Sequence, residues 1–464
     1  MKIDIAAMNI TPDVLKRFSI NVPRYTSYPT VPEWQDAFST TDVLEHWNAQ
    51  AVNGPPLSLY VHIPFCMRLC LYCGCNIIIT QKKSRAAEYL DYLDKEIDKA
   101  AATPLGKREV VQMHWGGGTP TYLNESELSR LSDKIRSRFK FATNAEVGIE
   151  VDPRETSPAK ARHLGRIGFN RISMGLQDFD PDVQKAVQRI QPEDMTRAVV
   201  DAAREVGFKG LNIDLMYGLP LQTKYRFAKT LEAVLAMNPD RFALFHYAHL
   251  PQMIRHQKAI HENDLPSSDE KFAIFCLAVE KLAAAGYEFI GLDHFARPDD
   301  ELAKARRDGS LNRNFQGYST CRDADLLSFG VSAISNVANH YVQNKKDLAE
   351  YQREVGATGL APWRGMRMSA DDMMRRDLIY RLMCHGRLDK ADVERRYGLV
   401  FDQAFAPELA EIAADAAEGL AVLTKDAIEL TPLGVLFMRN VARRFDAYMR
   451  KKEPGRGPTF SKSV

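Results

Sequence analysis

The chain has 464 residues, 45% of them apolar and 26% charged, enough for a large core and against global disorder. A formal charge of +2 is too near zero to mark a nucleic-acid binder, and the basic run near the C-terminus (RNVARRF, then MRKKEPGRGP) reads as a solvated tail. The N-terminal MKIDIAAMNITPDVLKRF lacks the apolar segment of a signal peptide, and no run of about 18 apolar residues calls for a membrane span. A cytoplasmic protein of about two to four domains is expected.

Residues 1–50 precede the first clear strand. Within them PRYTSYPTVP, Pro23 to Pro32, is extended because its prolines fix φ and bias the residues before them away from helix. It reads as a surface-hugging arm, with Arg24 as a candidate to meet an anionic substrate. From about residue 57 short apolar runs alternate with helical patterns. The expected strands are Leu57–Ile63, Val110–Trp115, Glu146–Val151, Arg171–Leu176, Leu211–Met216 and Phe242–Tyr247. Between them Ser84–Ala102, Glu125–Phe139 and Lys224–Met237 carry apolar residues at helical spacing. Such repetition predicts a parallel sheet.

Side chains alternate across a strand, so each run has two faces. Leu57, Leu59, Val61 and Ile63 oppose Ser58, Tyr60 and His62; Val111, Met113 and Trp115 oppose Gln112 and His114. The third, fourth and fifth runs likewise set apolar residues against Glu146, Glu150, Asp152, Ser173, Gln177, Asn212 and Asp214. One face suits outer helices. The other carries groups that are expensive to bury unsatisfied, which predicts a sheet curved around a polar cavity. The count of βα units gives an α/β fold, an incomplete (β/α)6-type barrel, with functional residues near the C-terminal strand ends. After residue 285 the regularity fades. Phe289–Phe295 reads as one more strand, and from about Met368 a helical domain follows, winged-helix in outline, with a short Ala421–Leu430 segment and a final helix from Pro432. The expected divisions are an arm at 1–50, a barrel with its extension at 51–365 and a helical domain at 366–464.

Four of the seven cysteines lie in YVHIPFCMRLCLYCGCN, Tyr60 to Asn76. Cys66, Cys70 and Cys73 are spaced C-x3-C-x2-C, and Cys75 follows. Pro64 and Gly74 suit a loop that leaves the first strand, and clustered cysteines in a cytosolic chain mean metal or catalysis. Three other readings stay open at this point: cysteines packed on one helix face, a disulfide framework, and a structural zinc site using all four thiolates.

Gly116-Gly117-Gly118-Thr119-Pro120 follows the second strand. It suits either a tight turn or the close approach of a ligand to backbone N–H groups, and it is not a dinucleotide fingerprint. Asp152-Pro153 can shape a turn, with Ser157 capping a helix that has Pro158 at its first position. Asp214 inside LNIDLMYGLP needs a partner. Arg189 reads by default as a surface arginine, and His246 and His249 as ordinary barrel or loop histidines. Cys276 and Cys384 read as packing residues.

C-x3-C-x2-C followed by GGGTP on the next strand resembles the radical S-adenosylmethionine (SAM) enzymes. RYTSYPT, YVHIPFC, CGCN, HWGGGTPTYL, EVDPRE, ISMGLQDF, NIDLMYGLP, FHYAHLP, DHFARPDDEL, FQGYST and GVSAIS narrow this to a resemblance to the oxygen-independent coproporphyrinogen III oxidase family, from about residue 24 to 336. The resemblance implies a 4Fe–4S cluster bound by Cys66, Cys70 and Cys73, with one iron left open for SAM. Cys75 need not be a ligand. It implies two SAM molecules, contacted at Tyr60, Gly117 and Glu150 and at Tyr72, Gly118, Thr119, Gln177, Arg189, Asp214, Ala248 and Ile334. The implied reaction is decarboxylation of two propionates of coproporphyrinogen III to vinyl groups by a 5′-deoxyadenosyl radical. The expected partners are that substrate, an electron donor such as flavodoxin or ferredoxin, and an unnamed electron acceptor, with the chain a monomer. The alternative is a haem chaperone related to the family, although such proteins typically lack the RYTSYPT arm and the CGCN cysteine. Met67 and Cys321 depart from the family pattern, and neither is a predicted ligand.

Overall fold

The computed structural model describes residues 12–451 and Phe460. The N-terminal residues 1–11 and most of the basic tail, 452–459 and 461–464, lie outside the described residues. The chain forms two compact units: Gln35–Ile274 with Asp323–Arg367, and a second made from the residues up to Trp34, Phe275–Arg322 and the chain from Met368 onward. The described residues up to Trp34 group with the C-terminal helices.

In the first unit six parallel strands follow one another: Leu57–Ile63, Glu109–Gly117, Lys140–Val151, Arg171–Gln177, Gly210–Tyr217 and Arg241–His246. Each expected strand is present, and the third starts well before Glu146. Helices Ser84–Ala101, Glu125–Arg138, Pro158–Arg166, Glu193–Glu205 and Lys224–Ala236 alternate with them. Two of their starts show why the sequence turns helical there. Asn124 forms a capping box with Glu127, and Ser157 accepts from the Lys160 N–H with Pro158 at the first position, satisfying amide donors left free at a helix start. Asp325–Phe329 adds a seventh parallel strand beside Leu57–Ile63, and Ile334–Val337, His340–Asn344 and Pro362–Arg367 continue the sheet antiparallel. The result is an α/β sheet consistent with the expected partial barrel. Among the described residues no helix is long and apolar enough to cross a membrane.

The apolar face is as the alternation predicts: Leu57, Leu59, Val61 and Ile63 are fully buried. The second strand corrects the expected pattern. Val110, not Val111, is buried, because the register slips at this point against both neighbouring strands, as a bulge with one extra residue does. On the inner face polar residues bond across strands. The Ser58 hydroxyl donates to Gln112 Oε1 (2.9 Å), Gln112 Nε2 to Glu146 Oε1 (2.8 Å), and Arg171 Nε lies 2.6 Å from Glu146 Oε2. Each of these polar groups thereby finds a partner across the strands.

The second unit corrects several readings. PRYTSYPTVP does not lie along the surface. Tyr25 and Tyr28 are at most 1% exposed, the Tyr25 hydroxyl donates to Asp446 Oδ2 (3.1 Å), and the Tyr28 hydroxyl accepts from the Ala447 N–H (3.1 Å). Aromatic bodies with bonded polar tips bury well. Arg24 pairs with the Asp293 carboxylate, so its charge already has a partner. Phe289–Phe295 is not one strand but a hairpin of Glu288–Gly291 and His294–Ala296, turned at Gly291 and Leu292, both at positive φ. The C-terminal helices Ala370–His385, Lys390–Tyr397 and Ala406–Ala417 are joined by a small antiparallel sheet of Arg387–Asp389, Ala427–Leu430 and Ala421–Leu423. The final helix from Pro432 breaks into Pro432–Leu436, Met438–Ala442, Arg443–Phe445 and Ala447–Arg450.

Candidate active site

The first strand delivers its polar residues to the loop that holds the cysteines. His62 Nε2 donates to the Asn76 carbonyl (3.0 Å), closing the loop onto the strand that precedes it, and its Nδ1 accepts from the Tyr60 hydroxyl (3.2 Å). Tyr60 stacks on His114 of the next strand at 6.3 Å between centroids. From the far side of the unit, His256 Nε2 donates to the Cys73 carbonyl (2.7 Å), and Gln257 Nε2 to the Tyr72 (3.1 Å) and Ala248 (3.3 Å) carbonyls. A loop with little regular structure is thus held at Tyr72, Cys73 and Asn76.

Cys66, Cys70, Cys73 and Cys75 are free thiols that line one open-mouthed cavity. The disulfide reading therefore fails, and so does the helix-face reading, since the segment around the cysteines is turn and short strand. Among the described residues no group of three His, Cys, Asp or Glu side chains is drawn together as around a single metal ion. Burial pushes the Cys66 thiol up to about 12, while a hydrogen bond from the Cys75 thiol leads in drawing Cys73 down to about 6.

The glycine loop is locked against the cysteine loop by backbone bonds. Gly118 N–H donates to the Ile63 carbonyl (2.8 Å) and Thr119 N–H to the Phe65 carbonyl (2.9 Å), and Cys66 Sγ lies 3.4 Å from Thr119 Oγ1. Gly117 has φ +114°, and a Cβ there would stand 2.5 Å from the His62 ring; at Gly118 it would stand 2.7 Å from the Pro64 backbone. Close packing demands both glycines. The Gly117 N–H donates to Glu150 Oε2 (3.2 Å), and His114 Nε2 donates to Glu150 Oε1 (3.2 Å). Burial alone would raise the Glu150 carboxyl, but the His114 hydrogen bond and charge outweigh it and hold the group below its ordinary range. Asp214 behaves oppositely. Burial, reinforced by the Glu150 charge, pushes it up to about 7, although it accepts from Asn212 Nδ2 (2.6 Å) and the Ser173 hydroxyl (3.3 Å).

Beside the cysteines sits a charge centre built on Asp152. Asp152 Oδ2 accepts from Arg154 Nη2 (2.6 Å) and Arg189 Nη1 (3.0 Å), and the same two nitrogens lie 3.2 Å and 3.5 Å from Cys70 Sγ. Arg189, a surface arginine by default reading and a SAM contact by the family resemblance, is 6% exposed, and its Nη2 also donates to the Gly175 carbonyl. Burial opposes ionisation of Asp152, yet Arg189 and Arg154 carry it down to about 2. The sequence signals were Asp-Pro-Arg at a strand's C-terminal end, where function collects, and the contact that the family resemblance implies for Arg189.

Of the residues singled out from the sequence, Tyr72, Gly117, Gly118, Thr119, Glu150, Gln177, Arg189 and Asp214 line the cavity with the three cysteines. Tyr60, Ala248 and Ile334 do not. Tyr60 stands one layer deeper, Ala248 follows the sixth strand, and Ile334 opens the strand Ile334–Val337, its carbonyl accepting from the Ser328 hydroxyl (2.5 Å). Two buried polar atoms of the cavity residues have no partner: Arg189 Nε and Gln177 Oε1, the latter on a residue at φ +73°. One is a cationic donor and the other an acceptor, complementary to a ligand carrying both a carboxylate and an ammonium group. Three cysteines with adjacent guanidiniums equally suit an anionic thiolate-bound cluster, so the donor set fits both halves of the implied cofactor.

Comparison with known proteins agrees with this geometry. The radical SAM superfamily pattern matches residues 60–234, and the HemN C-terminal domain pattern residues 368–437. The chain is 48% identical over 439 residues to the oxygen-independent coproporphyrinogen III oxidase of Salmonella typhimurium, covering 95% of each chain. It is 43% identical to that of Pseudomonas aeruginosa, covering 94% of this chain and 95% of the other. The solved structure of coproporphyrinogen III oxidase (HemN) from Escherichia coli superposes with a TM-score of 0.91 at 46% identity, covering 97% of this chain and all of the other. With its cysteine loop, glycine loop and helical C-terminal region all accounted for, the chain belongs to the oxygen-independent coproporphyrinogen III oxidase family of radical SAM enzymes.

Proposed function

We propose that this chain converts coproporphyrinogen III to protoporphyrinogen IX without oxygen, by oxidative decarboxylation of two propionate side chains to vinyl groups in haem biosynthesis. The observation that carries this is the single cavity in which three cysteines meet the Gly117–Thr119 edge, Glu150 and two unsatisfied buried polar atoms. Cys66, Cys70 and Cys73 would hold a 4Fe–4S cluster, which together with SAM would supply radical chemistry at the propionate side chains.

The protein's own task is to bind and orient. Arg154 and Arg189 place positive charge on Cys70 Sγ, which offsets the accumulated charge of three thiolates in a partly dry site. Gly117 and Gly118 offer a backbone edge that cannot retreat, because it is bonded to the cysteine loop itself. Glu150 stays ionised and oriented by His114, whereas Asp214, with its affinity for a proton raised toward neutrality, serves as a hydrogen-bonding group of either sense. Tyr60, Tyr72, Thr119, Gln177, Ala248 and Ile334 complete the contacts assigned to two SAM molecules. An external one-electron donor of the flavodoxin or ferredoxin kind, a separate electron acceptor, a monomeric state and a cytoplasmic location belong to the same reading.

Protein reconstituted anaerobically with iron and sulfide, then given SAM, a strong reductant and coproporphyrinogen III, is expected to yield the divinyl product, read by chromatography of the oxidised porphyrins. Cleavage of SAM with the tetrapyrrole returned unchanged would assign the chain to another radical reaction. Tight haem binding with no turnover would assign it to the chaperone relatives.

A further inference from the structure

Gln177 and Arg189 carry the two unpartnered polar atoms of the cavity, and their side chains are neighbours over Gly175. A Cβ at Gly175 would stand 3.0 Å from Gln177 Nε2 and 3.2 Å from Arg189 Nη2. Both residues depend on unusual backbone. Gln177 ends its strand at φ +73°, and Arg189 follows Gln188 at φ +54°. Such backbone is strained for residues other than glycine and persists only where surrounding contacts impose it. One side chain outside the cavity reaches both segments. Gln184, on the helix Pro181–Ala186, is 6% exposed. Its Nε2 donates to the carbonyls of Asp178 (2.9 Å) and Gln191 (2.8 Å), and its Oε1 accepts from the Gln191 N–H (2.8 Å). Its backbone carbonyl accepts from the Arg189 N–H (2.8 Å). The two donors of one amide are thus spent on the residue after Gln177 and on a residue just beyond Arg189. Asp178 is held from its other side by the Asp180 N–H (2.7 Å), the Thr230 hydroxyl (2.6 Å) and Gln222 Nε2 (2.6 Å). Apolar packing does not supply this alignment. Val183 and Val187 share a core cluster with Leu71 of the cysteine loop, but apolar burial is non-directional.

We infer that Gln184 is a positioning residue for SAM: it sets the spacing between Gln177 Oε1 and Arg189 Nε, and through them the grip on the amino and carboxylate groups. The inference rests on the cofactor reading above and adds to it a residue that does not itself line the cavity. Hydrogen bonds to charged groups are strong enough that losing the alignment of one weakens binding about tenfold or more. The nucleoside end of the ligand carries no such charge, so its binding is indifferent to this spacing.

The test compares the parent with Gln184→Met, which keeps the side chain's length and removes its amide, and with Val183→Ala, which loosens the same helix and removes no hydrogen bond. Each is loaded with its cluster and kept without reductant, so that SAM binds and is not cleaved. Equilibrium dialysis measures SAM and 5′-methylthioadenosine, which keeps the nucleoside and sulfur but lacks the amino and carboxylate groups. For Gln184→Met the expected result is full iron content, a SAM dissociation constant raised about tenfold or more, and a methylthioadenosine constant within about twofold of the parent's. Val183→Ala should leave the ratio of the two constants as in the parent. In the cofactor-free protein, amide exchange at residues 187–191 should quicken in Gln184→Met. An unchanged SAM constant overturns the inference. So does an equal loss for both ligands, or the same selective loss in Val183→Ala, since either makes Gln184 a packing residue only. Should Gln184→Met not fold, Gln184→Asn, one methylene short of its partners, carries the same comparison. If the cluster-loaded parent binds no SAM, the cofactor reading itself fails and this inference with it, which the parent alone shows before any variant is compared.

Discussion

Replacing Cys70 with alanine is expected to give a folded protein that holds almost no iron after anaerobic reconstitution and neither cleaves SAM nor turns over substrate. The effect should be close to total, because Cys70 does more than supply one of three thiolates. Its sulfur is a point on which Arg154 and Arg189 both bear, so its removal leaves two cysteines and takes away the sulfur that the two guanidiniums share with Asp152. The control is Cys75→Ala. Cys75 is exposed and donates its hydrogen bond to Cys73, so this variant should retain its iron and its absorption. Normal iron in Cys70→Ala would mean that the ligands are misassigned, and lost iron in Cys75→Ala would bring the fourth cysteine into the ligand set.

The second large effect is on stability. Asp152 is the carboxylate shared by two buried guanidiniums, and the side chains of all three residues are at most 8% exposed. Breaking a buried ion pair by deleting one member costs about 3–5 kcal/mol, because the charge left behind has neither water nor a partner. Asp152→Ala is therefore expected to lower the stability of the cysteine-loop unit by that order, measured by guanidinium unfolding and by faster amide exchange in residues 140–190. Asp152→Glu, which keeps the charge, should recover part of it. The sign with pH follows from the shift. The folded carboxyl lies at about 2 rather than 3.8, so its contribution is complete above about pH 4 and disappears as pH falls toward 2. A change below about 0.5 kcal/mol in Asp152→Ala would place this centre among ordinary surface contacts.

Much of this architecture is legible in the sequence, for identifiable reasons. The six parallel strands are covered outside by helices and carry polar side chains inside, so their two-residue alternation is strong enough to locate each one. The site follows from the cysteine spacing and from the glycines directly after the second strand. What escaped reading depends on contacts between distant residues. Arg189 looks like any helix-end arginine until Asp152, 37 positions away, folds beside it. The slip at Val111 needs a partner strand to define it. The arm looked superficial because nothing local reveals that Tyr25 and Tyr28 bond to Asp446 and Ala447. The hairpin at Gly291 and Leu292 has a single apolar run on both sides of its turn, so it reads as one strand.

The central claim is that three thiolates from this loop, and no fourth, hold an iron–sulfur cluster with one corner free for the amino and carboxylate groups of SAM. The most direct measurement is electron paramagnetic resonance of the dithionite-reduced, reconstituted protein before and after SAM is added. The account predicts a reduced-cluster signal whose g-values and line shape change when SAM binds. A spectrum indifferent to SAM, with every iron held by protein sulfur, or a protein loaded with zinc and silent in the experiment, would contradict it.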